Sequence, residues 1–506
     1  MRTKKNKTLN MGPVFIIMIM MIVVAILSLI CNLLQIRADQ TEIVINSLET
    51  SVISVKNIIS PAGIKYFFSS VVTNLSVFEP LFLLIISLIG IGIGEASGLF
   101  KAMFEPFKKV KTGVITVVVL MISMVCVFLG DNSFAFLLPF IGVVYKYLGK
   151  NPLLGIITSF IGMAAGYASG LLINNDILVL GELTQLSARV EVDSEYIFNS
   201  WSYLYIMIAS FIIMIISSLI FIHKLILPKL PYVKKEIEED LKVDKTALMY
   251  SNFTCIIIFI ILAYTIIPGL FGSGILLDKT ADNYILSLLG DKAPFKEAYI
   301  YIVTIILMIC GYVYGKTSGN IKNSNEYSTG LSRSFDNLGY VFVLIFFTSQ
   351  LISILNWTNL GNVLASGMIN FLSGMQFSGI ALIIIMFVII FLVGLIMPST
   401  IDKWILASPV IVPLFMRSNI SPEFTQYIFM VASGLSKAIT PIFPYFIILV
   451  AFLEKYDTNE KTKTTIFGTI KLILPVILIL TGIWLLIIVG WFTIGLPLGI
   501  GGNITL

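Results

Sequence analysis

Residues 113–148 and 378–415 are each two apolar arms joined by a short polar tip. The first tip is Gly130-Asp131-Asn132-Ser133, and the second runs from Pro398 through Ser399 to Asp402 and Lys403. Within hydrocarbon, such groups are tolerated only where they are buried in protein or line a cavity. The chain must therefore fold as a bundle that shields both tips. Each pair of arms can be two full crossings or one re-entrant hairpin, and both options leave the sidedness of the rest unchanged. After each pair the chain passes an X-Pro step, Asn151-Pro152 or Ser421-Pro422. It then reaches the same tetrapeptide, Ala168-Ser169-Gly170-Leu171 or Ala432-Ser433-Gly434-Leu435. Matching interrupted segments in two halves of a chain point to a transporter substrate site near the midplane. The tetrapeptide alone carries little, because Ala96-Ser97-Gly98-Leu99 repeats it.

The chain is 57% hydrophobic and only 12% charged, where soluble domains carry about a quarter charged residues. Several apolar stretches exceed the ~17 residues needed to cross a bilayer. The fold class expected is an all-α polytopic membrane protein. Cys31, Cys126, Cys255 and Cys310 lie in apolar spans and fit neither a metal site nor a disulfide framework. His223 is the only histidine, and no HExxH, GxSxG or Walker A pattern occurs. Gly90, Gly92 and Gly94 lie inside an apolar helix, where they read as close-packing residues.

Plain crossings are expected near 13–34, 78–94, 201–222, 251–267, 298–314, 338–355 and 467–492, while the residue pattern leaves 359–373 open. Most of the 33 Lys and Arg fall in alternate loops, beginning with Arg2, Lys4, Lys5 and Lys7. The positive-inside rule then places the N-terminus in the cytoplasm. The charge run 234–240 reads as solvated loop, and 315–335 as a cytoplasmic loop joining the two halves. With this parity the first hairpin enters from the cytoplasm and the second from outside. The broken helices at 152–187 and 424–453 run in opposite directions. The expected organisation is an N-terminal helix and external loop (1–77), a first inverted repeat (78–230), linking helices (231–337), a second inverted repeat (338–492) and a tail (493–506).

An ionisable residue at membrane depth is costly and suggests function. The candidates are Asp131, Asp176, Asp402, Lys403 and Lys437. Half-helix N-termini suit a carboxylate. Unwound carbonyls and hydroxyls suit sodium. Ser399 at the second tip, and Ser433, Ser436 and Thr440 around the second break, supply hydroxyls; Ser169, Asn174 and Asn175 supply polar groups at the first. Trp404, beside the second tip, is placed to stack on an aromatic substrate or to pack. Ser433 with Lys437 is the one pairing that could serve a membrane-embedded amide hydrolase.

Several segments resemble one family. They are Phe347-Thr348-Ser349-Gln350, Asn356-Trp357-Thr358-Asn359-Leu360-Gly361, Lys403-Trp404 with Ala407-Ser408-Pro409, Ser421-Pro422-Glu423, and Ile439-Thr440-Pro441 with Pro444-Tyr445-Phe446. Together with Gly92 to Leu99, they resemble motifs of the aminobenzoyl-glutamate transporter (AbgT) family across roughly 78–490. The resemblance implies a homodimer in the bacterial cytoplasmic membrane. It implies secondary transport of an anionic small molecule such as p-aminobenzoyl-glutamate, or efflux of sulfonamide-like antimetabolites, with no nucleic-acid partner. It implies coupling to sodium or protons and no resident cofactor. Trp404, Pro422 and Pro441 match positions implicated in transport. Asp131 matches an acidic tip residue, and Asp176 a further aspartate.

The departures bear on coupling. The family's site aspartate falls at Ser433 and its asparagine at Lys437; its arginine falls at Met430, and two further asparagines at Gly170 and Gly394. A tethered Lys437 ammonium disfavours a sodium ion beside it. A proton-coupled carrier or a sodium-independent exchanger is then expected, with Lys437 as an alternative carboxylate ligand.

Overall fold

A computed structural model describes residues 11–506 apart from 45–46, 232–240, 282, 291, 337, 376 and 458–463. The basic residues 2–7 and the charge run 234–240 lie outside the described residues. Numbering the longer helices, the chain runs α1 (Pro13–Leu33), β1 (Arg37–Val44), β2 (Ser47–Ser54), α2 (Glu79–Ala96), α3 (Thr112–Cys126), α4 (Ser133–Tyr147), α5 (Pro152–Ala165) and α6 (Asn175–Glu191). It continues through α7 (Leu204–Phe221), α8 (Lys245–Ile266), α9 (Pro294–Ser318), α10 (Gly339–Thr358), α11 (Leu360–Ser373), α12 (Gly379–Ile396), α13 (Thr400–Arg417), α14 (Pro422–Lys437), α15 (Pro444–Tyr456) and α16 (Ile466–Ile494).

Among the described residues, nine helical stretches are long and apolar enough to cross a membrane. They include all seven plain crossings expected from hydropathy and the first arm of each hairpin. Proline at the first helical position opens α1, α5, α9, α14 and α15, where its missing N–H costs nothing. Asn151, Asn174, Ser399 and Ser421 accept from backbone N–H groups and cap α5, α6, α13 and α14.

Two features depart from the sequence reading. The fold is mainly helical, but β1 and β2 pair antiparallel, Arg37 opposite Ser54 and Val44 opposite Ser47. Thr41, Ile43, Thr50, Val52 and Ile53 are residues that favour a pleated, half-exposed ribbon. The stretch 315–335 is not plain loop, because α9 extends to Ser318 and a helix forms at Ser324–Ser332. Asn323 caps that helix, and Gly330 lets it lie against α2: a Cβ at Gly92 would come within 2.9 Å of the Gly330 carbonyl. The close-packing reading of the α2 glycines therefore holds.

Contacts sort the chain ends onto two faces. On one face, Lys56 N donates to Thr358 O (2.8 Å), Asn370 Nδ2 to Asp39 O (2.7 Å), Tyr205 N to Leu498 O (3.0 Å) and Ser421 N to Ile504 O (2.8 Å). On the other, Lys101 Nζ donates to Leu241 O (3.1 Å), Asn151 Nδ2 to Pro231 O (3.0 Å) and Lys455 Nζ to Ser334 O (3.2 Å). The base of the α3–α4 pair lies on the second face, and that of α12–α13 on the first.

Both broken helices are present, and their breaks differ. In the first, α5 ends at Ala165 and α6 begins at Asn175, so Ala168 to Leu171 lie in the unwound stretch. In the second, Ala432 to Leu435 remain helical within α14, and the break follows at 438–443. Pro441, which lacks an N–H, and the restriction Pro444 places on Phe443 push that break past the tetrapeptide. Gly434 serves the neighbouring helix instead: a Cβ there would lie 2.4 Å from Tyr167 Cβ and 2.8 Å from Ala164 O.

Candidate functional site

A cavity of about 990 Å³ lies where the two tips meet the two breaks. Its wall includes Gly130, Asp131 and Asn132 of the first tip, and Met397 to Asp402 of the second. Asn175 and Asp176 at the start of α6, and Ile442 to Tyr445 at the start of α15, complete its depth. Gln40 of β1 and Lys296 and Glu297 of α9 also line it, which places the β-hairpin beside the cavity. Glycine is needed at 130, where φ is +82°; this left-handed bend turns α3 back into α4.

One ion pair joins the cavity wall to the layer behind it: Asp131 lines the cavity and Lys437 does not. Lys437 Nζ, fully buried, donates to Asp131 Oδ2 at 2.6 Å and to Oδ1 at 2.8 Å. Both carboxylate oxygens are thus engaged, and the pair ties the first tip to the end of α14. The ammonium also sits 4.1 Å from the centre of the Tyr167 ring, in the first break, a cation–π contact of up to ~2 kcal/mol when desolvated. Asn132 continues the network: its Nδ2 donates to Glu79 Oε1 (2.7 Å), and its Oδ1 accepts from the Tyr445 hydroxyl (2.7 Å). The Tyr445 ring stacks on Phe134 at 5.6 Å.

The N-termini of α4 and α15 face this cavity without a capping side chain or a first-turn acid. The starts of α2, α6, α9 and α13 each carry one acid, Glu79, Asp176, Glu297 and Asp402. Each helix start contributes roughly half a positive charge. Those four acids are therefore partly offset, while the starts of α4, α11 and α15 carry no first-turn acid; Asp131 stands just before the first of them.

The structure brings some expected site residues together and sets others apart. Asp131, Asp176 and Ser399 line the cavity. Ser433 lies one layer behind, its hydroxyl 3.2 Å from Thr400 Oγ1. Ser436 Oγ donates to Ser433 O (2.7 Å), and Thr440 Oγ1 to Leu395 O (2.7 Å), pinning the second break to α12. Lys403 is fully buried beside Ser436. Trp404, Pro422 and Pro441 do not line the cavity. Pro422 is the first residue of α14 and starts that helix, whereas Pro441 belongs to the break.

Trp404 is placed for packing rather than for stacking on a substrate in this cavity. It is fully buried, its ring centre 4.4 Å from that of Phe429. Its Nε1 donates to Thr184 Oγ1 (2.9 Å) and Leu180 O (3.2 Å). Trp404→Ala is expected to lose about 3–5 kcal/mol of stability, and Trp404→Phe about 1 kcal/mol. Thermal unfolding in detergent checks both; wild-type stability in Trp404→Ala contradicts the packing role.

Tyr167, Glu79 and Asn132 were not singled out from sequence. Asn132 is adjacent to the charged tip residue and could have been paired with it. Nothing in the pattern indicates that Tyr167 meets Lys437 across 270 residues.

The AbgT transporter family model matches residues 7–506. The chain belongs to the AbgT family. It is a polytopic membrane transporter. The p-aminobenzoyl-glutamate transport protein of Escherichia coli (strain K12) is 24% identical over 495 residues, spanning 96% of this chain and 92% of that protein. The crystal structure of the Alcanivorax borkumensis YdaH transporter shares 25% identity with a TM-score of 0.50, covering 97% of this chain and all of that one. The Neisseria gonorrhoeae MtrF structure, titled as illuminating a class of antimetabolite efflux pumps, is 23% identical with a TM-score of 0.48, covering 98% of each chain.

Proposed function

We propose that this AbgT-family chain carries a carboxylate-bearing small molecule of the p-aminobenzoyl-glutamate kind by alternating access, with the cavity as its substrate site. The observation that carries the reading is the bidentate Asp131–Lys437 pair beside helix starts that carry no first-turn acid. A substrate carboxylate is favoured there by the dipoles of these helix starts and by Lys437 in exchange for Asp131. A cavity lined by both tips is what two inverted repeats around one site predict. The return arm of the first pair, α4, is 15 residues, roughly 22 Å of rise against ~30 Å of hydrocarbon, which favours a re-entrant first hairpin.

Coupling is read as proton-driven. Lys437 already occupies both oxygens of Asp131, and a sodium ion ~4 Å from the ammonium would be opposed by about 4 kcal/mol at an effective dielectric near 20. The unit is read as a homodimer in a bacterial cytoplasmic membrane with a cytoplasmic N-terminus. It is read as a carrier rather than an amide hydrolase. Ser433 hydrogen-bonds Thr400 and Lys437 bonds Asp131, so the nucleophile and its base are engaged elsewhere.

Lys437→Gln is expected to weaken p-aminobenzoyl-glutamate binding at least ~10-fold, the scale of a lost charge-assisted hydrogen bond. Equilibrium binding to the purified protein measures it. Unchanged affinity rejects Lys437 as the carboxylate's partner.

A further inference from the structure

One buried amine is left over by the site as described. Lys403, in the first turn of α13, is fully buried, and its Nζ has no hydrogen-bond partner among the described residues. The space it occupies exists because residue 394 is glycine. A Cβ there would lie 3.1 Å from Lys403 Nζ and 2.0 Å from Ser436 Oγ. The charges acting on Lys403 are Lys437 of α14, Asp131 of the first tip and Asp402 of its own helix. Asp402 is exposed, and Asp131 already gives both oxygens to Lys437. The flanking helices α11 and α12 contain no charged residue. Asp176 of α6 lies in the cavity wall, Glu423 sits at the opposite end of α14, and Arg37, Asp39 and Glu42 of β1 are exposed.

Two buried amines therefore share one committed carboxylate. With both charged, one positive charge stands uncompensated away from water, which is strongly unfavourable. The cluster balances in two ways. One amine is uncharged, or both are ammonium and a second carboxylate has arrived.

We propose that Lys403 carries the coupling proton, its Nζ gaining one proton as a substrate carboxylate enters the cluster and returning it when the substrate leaves on the other face. This rests on the reading of the substrate as a carboxylate taken by Lys437. The step moves one proton between water and a primary amine, and no substrate bond changes. Thr400, Ile401 and Asp402, the three residues before Lys403, line the cavity, which gives the proton its approach. The Thr400 hydroxyl lies within 3.3 Å of the Tyr167 and Ser433 hydroxyls, so movement of the first turn of α13 also reaches the residues around Lys437. Lys403 is a positioning residue: it acts on the substrate through the charge it adds, not by contact.

The test is calorimetric titration of the full-length protein in nanodiscs with p-aminobenzoyl-glutamate, in two buffers of different ionisation enthalpy. Wild type is expected to take up close to one proton per bound ligand, and its Kd to rise about tenfold per pH unit wherever a whole proton is taken up. Lys403→Met is expected to bind more weakly and take up none. Lys403→Gln serves if the methionine variant does not fold. Binding without buffer dependence overturns the inference and leaves the carboxylate reading standing. Uptake that persists in the Lys403 variants places the proton elsewhere and also overturns it. A wild type that does not bind the probe contradicts the carboxylate reading and this inference with it.

Discussion

Asp131→Asn is expected to destabilise the protein by about 3–5 kcal/mol, the scale measured when one partner of a buried ion pair is removed. Lys437 is fully buried and cannot turn to water, so an amide at 131 leaves an ammonium with no counter-charge. Lys437→Met is expected to cost less, because the Asp131 side chain is 26% exposed and can recover solvent through the cavity. The double variant should recover much of the loss, since replacing a whole buried pair with apolar groups is often close to neutral. Unfolding of the four proteins in detergent completes the cycle. Additive losses would mean that the pair does not act as a unit. Transport should fall in all three variants, because the pair joins the first tip to the second break, the two parts that alternating access must separate.

Gly434→Val should cost about 1–3 kcal/mol through overpacking, and more in activity than in stability. A Cβ at 434 meets backbone as well as side chain, 2.8 Å from Ala164 O and 2.4 Å from Tyr167 Cβ. Tyr167 must then move, and with it the ring that lies 4.1 Å from Lys437 Nζ. Gly170, in the matching tetrapeptide, has no contact tighter than 3.7 Å at the same test position, so Gly170→Ala is the control and should be tolerated. Equal effects at 434 and 170 would show that close packing at 434 is not what matters.

The membrane part of the fold was legible because hydrocarbon imposes length and composition on every crossing. Asp131 and Lys437 could be picked out for the same reason, as charges where charge is expensive. Their pairing could not be read: 306 residues separate them, and only the three-dimensional approach of the first tip to α14 joins them. Trp404 shows the reverse limit. Its place beside the second tip suggested an aromatic platform, but α13 turns that face inward toward Thr184 and Phe429. Helical rotation decides such cases, and the charges at the start of α13 give opposite cues, Asp402 being exposed and Lys403 buried. The β-hairpin was passed over because hydropathy dominated the reading of the first 77 residues. Lys403 is legible as a charge at depth, but only its three-dimensional surroundings show that it has no hydrogen-bond partner among the described residues.

With the Lys437 ammonium standing where a coupling cation would sit, transport is proposed to be driven by protons and not by sodium. This is tested most directly by flux of labelled p-aminobenzoyl-glutamate into proteoliposomes, with sodium exchanged for choline and a pH gradient imposed. Saturable flux is expected that is indifferent to sodium, driven by the proton gradient and lost in Lys437→Gln. Saturable flux that requires sodium and ignores the pH gradient would contradict it.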